Sequence, residues 1–120
     1  MKIAITAEDN KLNSNVSPVF GRNPYIMILN LENYEIKSQL AIENPEDLKK
    51  GAGNIASEFL VNQNIDVLIS REMGPIAFYI LKNAGIIVYK ATMENVEKNL
   101  KLFTDGKLKE VTSISSGYPK

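Results

Sequence analysis

Ile65-Asp66-Val67-Leu68-Ile69-Ser70-Arg71-Glu72-Met73-Gly74-Pro75 carries a short apolar run into a glycine-proline pair. A run of this length, rich in branched residues and closed by a turn signal, predicts a buried strand over 65–69. Proline is favoured in the first turn of a helix, so Gly74-Pro75 predicts a helix start. Ala77, Ile80, Leu81 and Ala84 then recur at helical spacing, and Gly85 supplies a stop. Ile86 to Tyr89 is apolar again and reads as another strand. Two strands joined by a helix pair in parallel with a right-handed crossover. This stretch therefore decides the fold class, an α/β protein with ligand-accessible loops at the carboxyl ends of its strands.

Working back towards the N-terminus, Ile55, Ala56, Phe59 and Leu60 form one helical face, with Asn54, Ser57, Glu58 and Asn62 on the wet side. Pro45 to Gly53 breaks the pattern before it. Ile36, Leu40 and Ile42 alternate with Lys37, Gln39 and Ala41, as in an edge strand. Tyr25 to Leu29 is continuously apolar, as in a strand covered on both faces. Glu32-Asn33 lies between these two runs and predicts a tight hairpin, because Asn tolerates positive φ. Lys2 to Ala7 reads as a buried first strand. Towards the C-terminus, Thr92 is the expected cap of a third helix, with Glu94 in its first turn. Met93, Val96, Leu100 and Phe103 form its expected apolar stripe, and Lys98-Asn99-Leu100-Lys101 reads as its wet face. Asp105-Gly106 ends it.

The order β-β-β-α-β-α-β-α fits a five-stranded mixed sheet of order 3-2-1-4-5 with strand 2 antiparallel to the rest, and three helices. The expected domain is residues 1–111, with 112–120 a loose Ser-rich tail. The loops 8–24, 43–53, 70–74 and 90–92 then share one end of the sheet. Ligands of open α/β sheets bind there, at the switch point between strands one and four. The loop from Glu8 to Pro24 is long for a connection without function.

Composition narrows the chemistry. The chain has 120 residues with 14 basic and 14 acidic side chains, so no bulk charge points to nucleic acid or to a membrane surface. It has no Cys and no His, which removes thiol nucleophiles, disulfides and the usual zinc ligands and general base. No apolar run reaches the roughly 18 residues of a membrane span, and Met1 to Ile5 is too short and unflanked for a signal peptide. A cytoplasmic location is the expectation.

The candidate residues cluster in the predicted loops. Ser17-Pro18-Val19-Phe20-Gly21-Arg22 offers close backbone approach at Gly21 and a guanidinium at Arg22. The plainer alternative is that Phe20 plugs the core, Gly21 makes a turn and Arg22 pairs with Glu8 or Asp9. The 14 basic residues include only two arginines, Arg22 and Arg71, and both fall at this end. Ser70-Arg71-Glu72-Met73-Gly74-Pro75 leads into a helix N-terminus, which can hold an anion through N–H groups. A plain strand-to-helix turn is the alternative. Lys50-Gly51-Ala52-Gly53-Asn54 lacks the full dinucleotide and Walker patterns, so capping and turn formation explain it better. Glu8-Asp9 reads as a solvated loop, and Met27, Met73 and Met93 as packing residues.

Taken in order, Met1-Lys2-Ile3-Ala4-Ile5, Ser17-Pro18, Phe20-Gly21-Arg22, Tyr25, the Gly51/Gly53 loop, Met73-Gly74-Pro75 with Ala77-Phe78, and Thr92 through Asp105-Gly106-Lys107-Leu108 resemble the dinitrogenase iron-molybdenum cofactor-binding domain family. The resemblance runs over nearly the whole chain. It implies a ribonuclease-H-like three-layer fold and the binding of an iron-sulfur or iron-molybdenum cluster at the loop end of the sheet. The pattern departs at Val19, where many members carry His. A cluster here would rest on arginine and backbone N–H contacts, with carboxylate or Met coordination.

The expected function is therefore non-enzymatic binding of an anionic ligand or metal-sulfur cluster. Ser17, Phe20, Gly21, Arg22, Ser70, Arg71, Met73, Gly74, Gly51 and Gly53 are the candidate site. Arg22 and Arg71 would supply charge, the amides near Gly21 and Gly74 close donors, and Phe20 a wall. The second reading is an interaction or regulatory module that has lost the cluster and binds a protein partner. A nuclease is excluded because the first strand carries no acid and Asp66 sits at the wrong end. A serine hydrolase is excluded for want of a base.

Overall fold

Lys2–Ala7 forms strand β1, and five of its six residues are buried because both faces are covered. Around it the chain builds β2 (Tyr25–Glu32), β3 (Glu35–Glu43), α1 (Ala52–Asn62), β4 (Val67–Ser70), α2 (Pro75–Asn83), β5 (Ile87–Lys90), α3 (Val96–Thr104) and β6 (Lys109–Val111). The structure, a computed structural model, describes residues 1–44 and 52–114. The sheet order is β3-β2-β1-β4-β5-β6. β1 pairs antiparallel with β2 and parallel with β4, and β4 pairs parallel with β5. The expected order of five strands is found, but the sheet has a sixth. Lys109–Val111 pairs antiparallel with β5, with Lys90 opposite Lys109. Three residues, two of them charged, carry too little periodicity to announce a strand.

Strand alternation divides the core in two. Ile3, Ile5, Val67 and Ile69 pack with Val96 and Leu100 of α3 on one face. Ala4, Leu68 and Val88 pack with Ala56, Leu60, Ala77, Phe78 and Leu81 of α1 and α2 on the other. Each large apolar side chain fully buried there contributes roughly 1.5–3 kcal/mol. Sheet and helices thus form three layers. No helix among the described residues is long and apolar enough to cross a membrane.

Several local expectations are corrected. The hairpin turn is Asn33-Tyr34, both with positive φ (54° and 65°), one residue beyond the expected pair. That is the pattern of a type I′ turn, whose twist matches the strands. In α2 the buried residues are Ala77, Phe78 and Leu81; Ala84 is exposed and Ile80 half-buried. In α1 Ile55 is exposed, whereas Ser57 is fully buried. Its Oγ donates to the Gly53 carbonyl at 2.8 Å, with the Ala77 carbonyl at 3.2 Å, which lets α1 lie against α2.

The cap of α3 is Asn95 rather than Thr92: its side chain accepts from the Lys98 N–H at 2.7 Å, and Glu97 takes the acidic place in the first turn. Met93 stands outside the helix at 81% exposure, so it packs nothing. Asn99, expected on the wet face, is fully buried. Its Oδ1 accepts from Thr92 N–H at 2.7 Å and its Nδ2 donates to the Asn95 carbonyl at 2.9 Å, tying the 92–95 turn to α3. At the start of the expected tail, Lys82 Nζ donates to the Thr112 carbonyl at 2.9 Å and Ile114 packs against the α1/α2 cluster. Residues 115–120 lie outside the described residues.

Candidate functional site

The carboxyl ends of β1, β4 and β5 face one way, and two segments cover them. The first is a strap, Ser17–Phe20. Ser17 N–H donates to the Thr6 carbonyl at 3.1 Å, Glu72 N–H to the Pro18 carbonyl at 3.1 Å and Phe20 N–H to the Glu72 carbonyl at 2.8 Å. The strap therefore bridges the end of β1 and the turn after β4. Phe20 is 4% exposed and sits in the α1/α2 cluster, as the plainer sequence reading has it. Gly21 turns the chain with φ of 94°, a left-handed conformation that favours glycine. Its N–H donates to Asn23 Oδ1 at 2.8 Å, and Asn23 Nδ2 donates to the Tyr25 carbonyl at 2.9 Å. Asn44 Nδ2 reaches the carbonyls of Gly21 and Asn23 at 3.2 and 3.0 Å. Two buried asparagines thus fix the backbone that presents Arg22.

The second segment is the Arg71–Met73 turn. It forms one wall of a cleft of about 500 Å³ whose other wall is Lys109–Ile114. Arg71, Lys90 and Lys109 stand there against Glu72 and Glu110, which leaves one positive charge in excess. Met73, Val111 and Ile114 give it an apolar floor. Lys90 Nζ holds Glu72 at 2.9 Å. Both side chains are more than half exposed, so the pair contributes about 0–1 kcal/mol. The hydrogen bond and the charge of Lys90, with Arg71 adding a smaller effect, hold the Glu72 carboxyl below the ordinary glutamate value. The side chains of Arg71 and Lys109 make no hydrogen bond or ion pair with any described residue.

The ten candidate residues separate accordingly. Arg71 and Met73 line the cleft. Ser70 is 1% exposed at the end of β4, and Gly74 caps α2. Ser17 and Phe20 are buried in the strap, and a Cβ built on Gly53 would lie 3.7 Å from the Phe20 carbonyl oxygen. Gly51 lies outside the described residues. Arg22 is exposed, makes no ion pair with Glu8 or Asp9, and does not line the cleft. Lys90 and Lys109 were not singled out by the sequence reading. No local pattern signals them: Lys109 comes beside Lys90 only through the antiparallel pairing of β6 with β5. Asp66 lies at the opposite end, accepting from the Lys2 N–H at 2.8 Å. No group of three His, Cys, Asp or Glu side chains placed to hold a metal ion occurs among the described residues.

The family model for the dinitrogenase iron-molybdenum cofactor matches residues 1–106. The chain belongs to that family. An uncharacterized protein of Methanocaldococcus jannaschii is 37% identical over 111 residues, covering 92% of this chain and 91% of its own. Among solved structures, the apo form of the orange protein from Desulfovibrio gigas superposes with a TM-score of 0.83 at 29% identity, covering 93% of both chains. A Thermotoga protein provisionally described as a NifB protein gives a TM-score of 0.82 at 30% identity, covering 95% of this chain and 96% of that one. The family match, over residues 1–106, includes the strap and the Arg71–Met73 turn.

Proposed function

We propose that this chain is a non-enzymatic carrier that holds an anionic metal-sulfur cluster as cargo in the Arg71–Lys109 cleft. The observation that carries the reading is a pair of unpartnered cations lining a cleft of about 500 Å³ at the carboxyl end of the sheet, in a member of the iron-molybdenum cofactor family. Charge and shape suit an anion. The donor set does not suit tight ligation: the chain has no thiol and no imidazole, so iron or molybdenum would meet only the Glu72 and Glu110 carboxylates or the Met73 thioether. Retention therefore comes from Coulomb attraction and hydrogen bonds to cluster sulfur, which is the grip of a carrier that must release its load. The Ser17–Phe20 strap is hydrogen-bonded to Glu72 and so adjoins one wall of the cleft. The carrier would work in the cytoplasm on a ribonuclease-H-like scaffold.

A second reading is an interaction module that has lost its cluster. Val19, Ile76 and Met93, which are 40%, 65% and 81% exposed, favour it. Anaerobic purification followed by iron, molybdenum and sulfide analysis, before and after incubation with a reconstituted iron-sulfur cluster, separates the two. Stoichiometric metal with a visible charge-transfer band supports the carrier. No retained metal, together with stable co-purification of one protein, supports the module.

A further inference from the structure

β3 is the outermost strand of the sheet, and on its far side no described strand meets it. From Ser38 to Glu43 its register with β2 is unbroken; the one shift, at Asn30/Leu31, falls beside Lys37. Asn44 N–H donates to the Pro24 carbonyl at 2.8 Å, so position 44 is a hydrogen-bonded one in this antiparallel pair. By alternation Ser38, Leu40 and Ile42 turn their backbone groups to β2, and Gln39, Ala41 and Glu43 turn theirs outward. An open edge of this kind is a template for another strand, and proteins blunt it with proline, lysine or a bulge. The register shift and Lys37 guard one end of β3, whereas residues 38–43 carry none of the three.

The side chains add an apolar face to that edge. Leu40 and Ile42 stand opposite Ile28 and Ile26, which belong to the α1/α2 cluster. The cluster is incompletely covered there: Leu40 is 57% exposed and Ile55 of α1 48%. Ile42, Ile55 and Phe59 line an apolar pocket of about 100 Å³ beside them. The charges of the strand fit a copy of itself. Lys37 lies towards one end and Glu43 at the other, and an antiparallel partner brings unlike ends together. With Leu40 on a two-fold axis, Gln39 pairs with Ala41 of the second copy, and Lys37 stands level with Glu43 of the second copy, twice over. The register centred on Gln39 would instead set Glu35 against Glu43 at both ends, which is unfavourable. Glu35 holds Lys37 at 3.3 Å, but both side chains are exposed, so this pair is weak enough to share its lysine.

We propose that the β3 edge is a self-association surface, on which a second copy of this chain adds its own β3 antiparallel with Leu40 at the two-fold axis. Such a contact uses the same patch on both copies, so it closes as a dimer and consumes the open edge. The two Gln39–Ala41 pairs exchange four backbone hydrogen bonds. Each Leu40 meets the other and stands diagonal to Ile42 of the second copy, at the rim of the apolar pocket. A contact this short falls at or below the low end of specific interfaces, about 1,200 Å² in total, so the dimer is weak and concentration-dependent. β3 and β6 are opposite edges of the sheet. The Arg71–Lys109 cleft therefore stays open in each copy, and the pairing does not rest on the cargo reading.

The test is sedimentation velocity of the full chain at rising concentration, with amide hydrogen exchange read from ¹⁵N–¹H correlation spectra of the same samples. The expected result is a shift from the mass of one chain to that of two. Exchange at Gln39, Ala41 and Glu43 should slow at least tenfold as the dimer fills, with little change at Leu40 and Ile42. Leu40→Lys sets like charges on the axis and should abolish the dimer. Ala41→Pro removes an outward N–H that β2 does not use and should weaken it at least tenfold. Glu43→Lys alone should weaken it severalfold, and Lys37→Glu with Glu43→Lys should restore it. If Leu40→Lys or Ala41→Pro loses spectral dispersion, the charge exchange decides, since both of its side chains are exposed. A chain that stays monomeric at every concentration, even one whose β3 amides an added extended peptide protects, would overturn the proposal. So would a dimer that folded Leu40→Lys and Ala41→Pro leave intact, or a charge exchange that restores nothing. Arg71→Ala with Lys109→Ala should leave the dimer unchanged, so loss of cluster binding in that variant is read independently.

Discussion

Arg22 and Arg71 occupy loops at the same end of one sheet, yet their surroundings differ in kind. The backbone around Arg22 is tied by Asn23 and Asn44, both buried, and its side chain points into open solvent. Arg71 follows a fully buried strand and lines a cleft beside a second unpartnered cation, Lys109. The first region spends its polar groups on holding a turn, and the second leaves its charges unspent. Equal residue types in equal loops are therefore set differently: the turn that carries Arg22 is built for stability by its asparagines, while Arg71 itself is left to recognition. What separates them is whether a neighbouring element faces the charge, and β6 supplies that neighbour only to Arg71.

This contrast can be broken most strongly at Asn23. Asn23→Leu strands the Gly21 N–H and the Tyr25 carbonyl in a buried setting, and should cost about 2–3 kcal/mol in urea unfolding. Ligand binding in the cleft should persist under native conditions. Arg71→Ala with Lys109→Ala should do the reverse. Stability should stay within about 0.5 kcal/mol, while affinity for an anionic cluster falls at least tenfold, about 1.4 kcal/mol. The loss should shrink as salt screens the wild-type charges.

Gly21→Ala sharpens the strap side: at φ of 94° a Cβ is strained, and the expected loss is about 1 kcal/mol. Lys90→Met sharpens the cleft side with a smaller effect. The Glu72 carboxyl is lowered by Lys90, so the pair stabilises the fold above the unfolded-state pKa and is lost as pH falls through the folded one. Wild type should exceed the variant by at most about 1 kcal/mol at neutral pH. The two should converge in unfolding titrations once the pH has fallen below the lowered Glu72 pKa. Arg22→Ala should change stability least of all.

The fold was legible where residues speak locally. The apolar runs of β1, β2 and β4 and the Gly74-Pro75 start announced a parallel core, and its five expected strands stand in the expected order. β6 was not legible, because a three-residue edge strand is defined by pairing with β5 rather than by its own pattern. Asn99 was misplaced for a related reason: a lysine on either side of the 98–101 stretch suggests solvent, but Asn99 faces inward to serve the 92–95 turn. At the site, the two arginines and the strand-to-helix turn were visible in the sequence. Lys90 and Lys109 join Arg71 only through the β5–β6 pairing, a contact no spacing encodes.

The most direct test of the carrier reading is an anaerobic titration of a reconstituted iron-sulfur cluster into three proteins: the wild type, Arg71→Ala with Lys109→Ala, and Arg22→Ala. The charge-transfer band reports binding. The account predicts saturation near one cluster per chain for the wild type, at least tenfold weaker binding for the cleft double variant, and less than threefold for Arg22→Ala. Unchanged binding in the double variant, with loss on replacing Arg22, would contradict it and move the cargo to the strap.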